Sequence, residues 1–198
     1  GHARRISTTA LLDTSSPTSW MEFSTSQKFN AVFLGTDAYK LPYTGTYNTG
    51  AAPAYAAVIS TIRIDALRIE NTPLYVRMAM HSLGPLARGI TSPTIGTVLG
   101  YDILQEFESL RFNSREQLLE LTSTQPYTPD DELLMTTAKI VAVKNHGLAV
   151  EGSLLGKPEP IILDFAGDYH FSRGDAKVSI TKQVSLGEVV FRQVPTLI

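Results

Sequence analysis

The chain has 198 residues, of which 43% are apolar and 18% charged, with a net charge of −2. This is enough apolar material for a real core and excludes wholesale disorder, while the near-neutral balance offers no basic stripe for nucleic acid. No cysteine occurs, which excludes disulfides, thiolate catalysis and cysteine-ligated metal sites.

From the N-terminus, "GHARRI" is followed by no hydrophobic signal core. No apolar run approaches the roughly 20 residues that a bilayer-spanning helix requires, so no membrane span is expected. Short apolar or alternating runs then recur between turn clusters: "TTALL", "AVFL", "AAVISTIRI", "PLYVRMAM", "IGTVLG", "AKIVAV", "GLAVEGSLL", "PIIL", "KVSI" and "EVVFRQV". Their Val, Ile, Thr and Tyr content suits pleated strands, and the Gly, Pro, Asn and Ser between them suit turns. An all-β chain is the expectation. Residues 41–53, "LPYTGTYNTGAAP", read as a loop between strands.

The clearest helix is "GYDILQEFESL", where Ile103, Leu104, Phe107 and Leu110 fall on one face and Asp102 lies near the positive N-terminus. "LRFNSREQLLEL" follows as two short strands turning at Asn113-Ser114. Residues 123–136, with two prolines, several hydroxyls and an acidic run, read as a linker. Beyond it, "GLAVEGSLLGKPEPIILDFAG" reads as a hairpin turning at Gly156-Lys157-Pro158.

Two stretches carry the chemistry. "ALLDTSS" ends an apolar strand at Asp13-Thr14-Ser15-Ser16, with Trp20 seven residues after the aspartate, and "PIILDFAG" repeats the apolar-Leu-Asp step at Asp164. The four histidines, His2, His81, His146 and His170, share no ligand spacing. No phosphate loop, dinucleotide fingerprint or nucleophile elbow is present, so neither a cofactor nor a metal is expected.

Together with "TVLGYDILQEF", a Gly-x-Asp-x-Leu pattern at Gly100, Asp102 and Leu104, these pieces resemble aspartic proteases of the retropepsin and pepsin type, as a divergent bacterial member. The resemblance implies an acid-protease barrel lobe with one short helix over residues 1–122, a linker at 123–136, and an incomplete second lobe at 137–198. It implies an aspartic endopeptidase, a hydrolase acting on peptide or protein substrates, in an exported bacterial protein of the periplasm or the secreted fraction. Asp13 would be catalytic, paired with Asp164 in the same chain or with Asp13 of a second copy in a homodimer. Thr14 would hydrogen-bond across to the opposite loop, Ser15 and Ser16 would support the turn, and Trp20 would contact a flap tyrosine, with Tyr43, Tyr47 and Tyr55 as candidates.

Two departures from the family pattern stand out. Ser15 replaces a glycine whose missing Cβ lets the backbone come close, and Phe165 replaces a threonine. They motivate the alternative of a catalytically inactive protease-fold module that binds peptides or partners.

Overall fold

A computed structural model describes residues 6–34, 41–42, 53–77, 96–113, 115–130, 134–165 and 178–197. Strands dominate, at 53% of the chain, and the helices among the described residues are short, so the chain is all-β. Among the described residues no helix is long and apolar enough to cross a membrane.

The first sheet is built from β1 (Ala10–Leu12), β2 (Trp20–Glu22), β3 (Val32–Phe33), β4 (Leu41–Pro42), β5 (Pro53–Ile64), β6 (Leu67–Arg77) and β7 (Thr97–Leu99). Its order is β1-β7-β2-β6-β5-β3, with β4 also on β5. β5 and β6 form one long hairpin, whose tight turn takes Asp65 to a φ of 51°. Asp tolerates that left-handed conformation better than most residues.

Alternation along β2 explains why this sheet is buried on both sides. Met21 faces a cluster with Ala57, Ile59, Leu74 and Val76, while its neighbour Trp20 faces Val98, Leu11 and Tyr75. Successive side chains of a strand point to opposite faces, so Leu74 and Val76 join Met21, and Tyr75 between them joins Trp20. Each large side chain buried this way contributes roughly 1.5–3 kcal/mol.

The second sheet draws on β10 (Ile140–Val141), β11 (Ala149–Leu154), β12 (Lys157–Ile162), β13 (Val178–Leu186) and β14 (Val189–Leu197). Its order is β10-β11-β13-β14, with β12 on the other edge of β11. Ala149, Val150, Leu154 and Val184 are its buried apolar residues. The β11–β12 hairpin turns at Leu155-Gly156, one step before the expected position, with φ of 53° and 79°. Two consecutive positive φ values match the twist of a two-residue hairpin loop. Lys157 and Pro158 already pair with Leu154 and Ser153. Proline is tolerated there because β12 is an edge strand.

Two helices differ from expectation. α1 (Phe23–Lys28) has the sequence "FSTSQK" and was not anticipated, since Ser and Thr are weak helix formers without apolar periodicity. Local bonds hold it: the Glu22 carboxylate accepts from the Thr25 amide at 3.0 Å and from the Ser24 hydroxyl, and Ser26 donates to the Phe23 carbonyl at 2.7 Å. α2 (Tyr101–Leu104) is only one turn long, so the helix expected through Leu110 stops early. The chain leaves it for β8 (Ser109–Asn113), which pairs with β9 (Leu118–Thr122). There Leu110 lies opposite Leu121 and Phe112 opposite Leu119, so the hairpin gathers four apolar residues on one face. That cross-strand face outweighs helical periodicity. Residues 123–130 and 134–139 contain no strand or helix, and β10 begins at Ile140.

Candidate functional site

β1 delivers the Asp13 turn. It pairs in parallel with β7, and the Asp13 amide continues the ladder by donating to the Leu99 carbonyl at 3.0 Å. The chain then turns sharply, because the Asp13 carboxylate captures the donors that follow it. Its Oδ1 accepts the Ser15 amide at 3.0 Å, the Ser16 amide at 3.0 Å and the Ser15 hydroxyl at 2.7 Å. An aspartate bonding backbone amides two and three residues ahead is the usual chemistry of such a turn.

Ser15 is accommodated without backbone strain. It is not among the residues with positive φ, its amide still reaches Asp13, and its hydroxyl adds a third bond. The glycine of the family pattern is therefore not required by this turn.

The turn is buttressed from below by α2. Ser19 donates its amide and its hydroxyl to Asp102, at 2.9 and 2.5 Å, while its oxygen accepts from the Gly100 amide at 2.8 Å. The Tyr101 amide donates to the Ser16 carbonyl at 2.8 Å. Gly100 is demanded by crowding: a Cβ there would lie 2.6 Å from the Thr18 carbonyl group. Asp102 thus holds the first turn from its helix.

Across the turn stands the segment that carries Asp164. The Thr14 hydroxyl donates to the Leu163 carbonyl at 2.6 Å and accepts from the Phe165 amide at 3.1 Å. The Leu148 amide donates to the Thr14 carbonyl at 2.6 Å, and the Gly147 amide to the Ser15 carbonyl at 2.9 Å. The loop before β11 can approach so closely only because residue 147 is glycine; any Cβ would collide with the Thr14 carbonyl oxygen. Leu163 in turn donates to the Leu148 carbonyl at 2.9 Å, closing the arrangement.

The structure therefore brings Asp13, Thr14, Ser15 and Ser16 together with Asp164, the four former buried and Asp164 exposed. Burial pushes the Asp13 carboxyl above its ordinary value, and the negative charge of Asp164 pushes it the same way. The hydrogen bonds from Ser15 and Ser16 oppose this without cancelling it. All three bonds land on Oδ1, which leaves Oδ2 as the carboxyl oxygen with no described donor.

Trp20 is a core residue that, among the described residues, packs on Tyr75, its partner in the β2–β6 ladder; the Arg77 guanidinium lies 5.4 Å from the centroid of its ring. Tyr55, a flap candidate, instead packs on the Met21 cluster from β5, edge-on to Phe33 at 6.3 Å. Tyr43 and Tyr47 lie outside the described residues. Among the described residues no three His, Asp or Glu side chains are grouped to hold a metal ion.

Gly147, Ser19 and the Phe165 amide escaped sequence reasoning. Only Gly147 carried a signal, a glycine closing the turn "KNHG" just before an apolar strand. Compared with family models, curated proteins and solved structures, the chain matches none.

Proposed function

We propose that this chain is an aspartic endopeptidase of the retropepsin and pepsin type, with Asp13 and Asp164 as its carboxylate pair. In this reading, residues up to 122 form an acid-protease lobe and residues from 137 a partial second one. The observation that carries it is the tie between the two aspartate turns: a single buried hydroxyl, Thr14, bonds the residues on both sides of Asp164. An ordinary strand-end turn has no need to grip a second aspartate-bearing segment from 149 positions away.

The chemistry follows from the asymmetry of the pair. Two neighbouring carboxylates share one proton, because both cannot ionise cheaply at short range. Asp13, buried and pushed up, keeps that proton on Oδ2 and polarises the scissile carbonyl. Asp164, on the exposed side where water solvates its charge, takes a proton from the attacking water. The water oxygen bonds to the carbonyl carbon; Asp164 then returns that proton to the amide nitrogen, the C–N bond breaks, and the pair is left with its one shared proton. The titrations belong to the pair jointly.

Unfolded casein, incubated from acid to neutral pH, tests this. Hydrolysis blocked by a statine-type inhibitor is expected, and Asp13→Asn or Asp164→Asn each lowers kcat by about a thousandfold. Undiminished cleavage in Asp13→Asn rejects the assignment. Peptide binding that survives Asp13→Asn, without cleavage by the parent chain, identifies a binding module instead.

A further inference from the structure

The grip between the two turns is one-sided. Thr14 uses its side chain to reach the Asp164 segment, but the side chain of Phe165 does not reach back. Its ring stacks on Phe112, with centroids 4.3 Å apart and planes inclined by 28°. Both rings remain partly open to solvent, at 54% and 38% exposure, so this contact does not belong to a filled core.

Phe112 lies on the apolar face of the β8–β9 hairpin, beside Leu110, Leu119 and Leu121. A two-stranded hairpin is marginal by itself and gains from any apolar partner laid on that face. Phe165 supplies one. The same contact constrains the residue next to Asp164, whose carboxylate is exposed and so is not held by burial. Leu163 and the Phe165 amide are fixed by Thr14, and the Phe165 ring is fixed by Phe112.

We propose that Phe112 is a positioning residue: by stacking on Phe165 it holds the Asp164 turn so that the Asp164 carboxylate faces Asp13. An offset aromatic stack is a modest interaction, sufficient to change the population of a turn conformer about 3- to 10-fold. Among the described residues, the other charged groups close to the two turns are Asp102, Lys144 and His146. Asp102 is taken up by Ser19, and Lys144 and His146, on the loop over Thr14, are exposed. Asp164 is the described charge that acts on Asp13 and that stands next to Phe165.

The test is a carbon-13 NMR titration of the Asp13 carboxyl in the full chain, with Asp164→Asn as the reference for a lost neighbouring charge. Phe112→Ala is expected to move the Asp13 midpoint down toward that reference, and Phe112→Tyr to restore it. Phe165→Ala should act alike, and the double variant should add nothing, since both remove one contact. Phe112→Leu, which keeps the hairpin face apolar without a ring, reads the same effect if the alanine variant does not fold. The kinetic arm rests on the hydrolase reading: kcat falls about 10-fold in Phe112→Ala while KM stays within about twofold. Midpoints unchanged in the Phe112 and Phe165 variants, or additive effects of the two, overturn the proposal even if casein is cleaved. A midpoint that follows Phe112 in a chain that cleaves nothing leaves the positioning role standing and removes the hydrolase.

Discussion

Replacing Thr14 by valine deletes one oxygen and changes little else in shape, which isolates the cross-link between the two sheets. In the native chain that hydroxyl donates at 2.6 Å to Leu163 and accepts at 3.1 Å from Phe165. Thr14 itself is fully buried. Loss of the oxygen leaves a carbonyl and an amide without this partner, at about 1–3 kcal/mol for a buried group. Leu163 is half-buried and Phe165 exposed, so water recovers part of the loss, and the net cost is about 2 kcal/mol. Thr14→Ser keeps the oxygen and gives up a methyl, at about 1 kcal/mol. Urea unfolding followed by Trp20 fluorescence, with slopes compared among the three proteins, reads both values. Trp20 sits in the first sheet and reports that unit. A broadened, probe-dependent transition in Thr14→Val would show that the cross-link also couples the melting of the two sheets. A Thr14→Val cost equal to or below that of Thr14→Ser refutes the reasoning.

Three further outcomes are expected. Gly147→Ala should destabilise by about 2–3 kcal/mol or more, because the new methyl group meets the Thr14 backbone, which cannot swing away as a side chain can; a shift in thermal midpoint within error contradicts the close approach. Asp13 has a raised carboxyl, so its contribution to stability is fully present below the ordinary value of 3.8 and is lost as pH rises through the folded value. Parent and Asp13→Asn should therefore diverge with rising pH, the parent losing ground, and a parent that gains stability relative to Asp13→Asn over that window reverses the sign. Ser19→Ala should cost about 1–3 kcal/mol by removing one of the donors to Asp102 and the acceptor of the Gly100 amide, and Asp102→Ala should cost less in its presence than alone because the hydroxyl bond is then already gone; full additivity in the double-mutant cycle contradicts that shared bond.

Much of the secondary structure was legible because strand formation is encoded locally. The β8–β9 and β11–β12 hairpins join neighbouring apolar runs across turn residues, while β5 and the second half of β6 show only as separate runs rich in branched and aromatic residues. α1 was hidden because its stability comes from Glu22, Ser24 and Ser26 bonding local backbone and side-chain groups, with no apolar stripe to see. α2 is shorter than its apolar spacing suggests because Phe107 and Leu110 keep a helical spacing that the β8–β9 pairing overrides. The Asp13 turn is visible in "LLDTSS", whereas a Thr14 bond to a distant segment is implied only by the family resemblance and leaves no local mark. That Trp20 lies beside Tyr75 in the ladder follows from the sheet order and not from local sequence.

From the order of amino acids alone came the strand-rich character, the hairpins, the aspartates that end two apolar runs and the lack of any thiol or metal-ligand spacing. Local sterics and side-chain polarity act within a few residues and can be read there. Tertiary structure alone decided that β1 pairs in parallel with β7 from far along the chain, and that Gly147 admits a loop against Thr14. It also decided that Phe165 turns its ring to Phe112, while the two ends of its turn are tied to one hydroxyl. Such contacts depend on which surfaces come together once the apolar faces are buried, and pairings between distant segments leave no local trace.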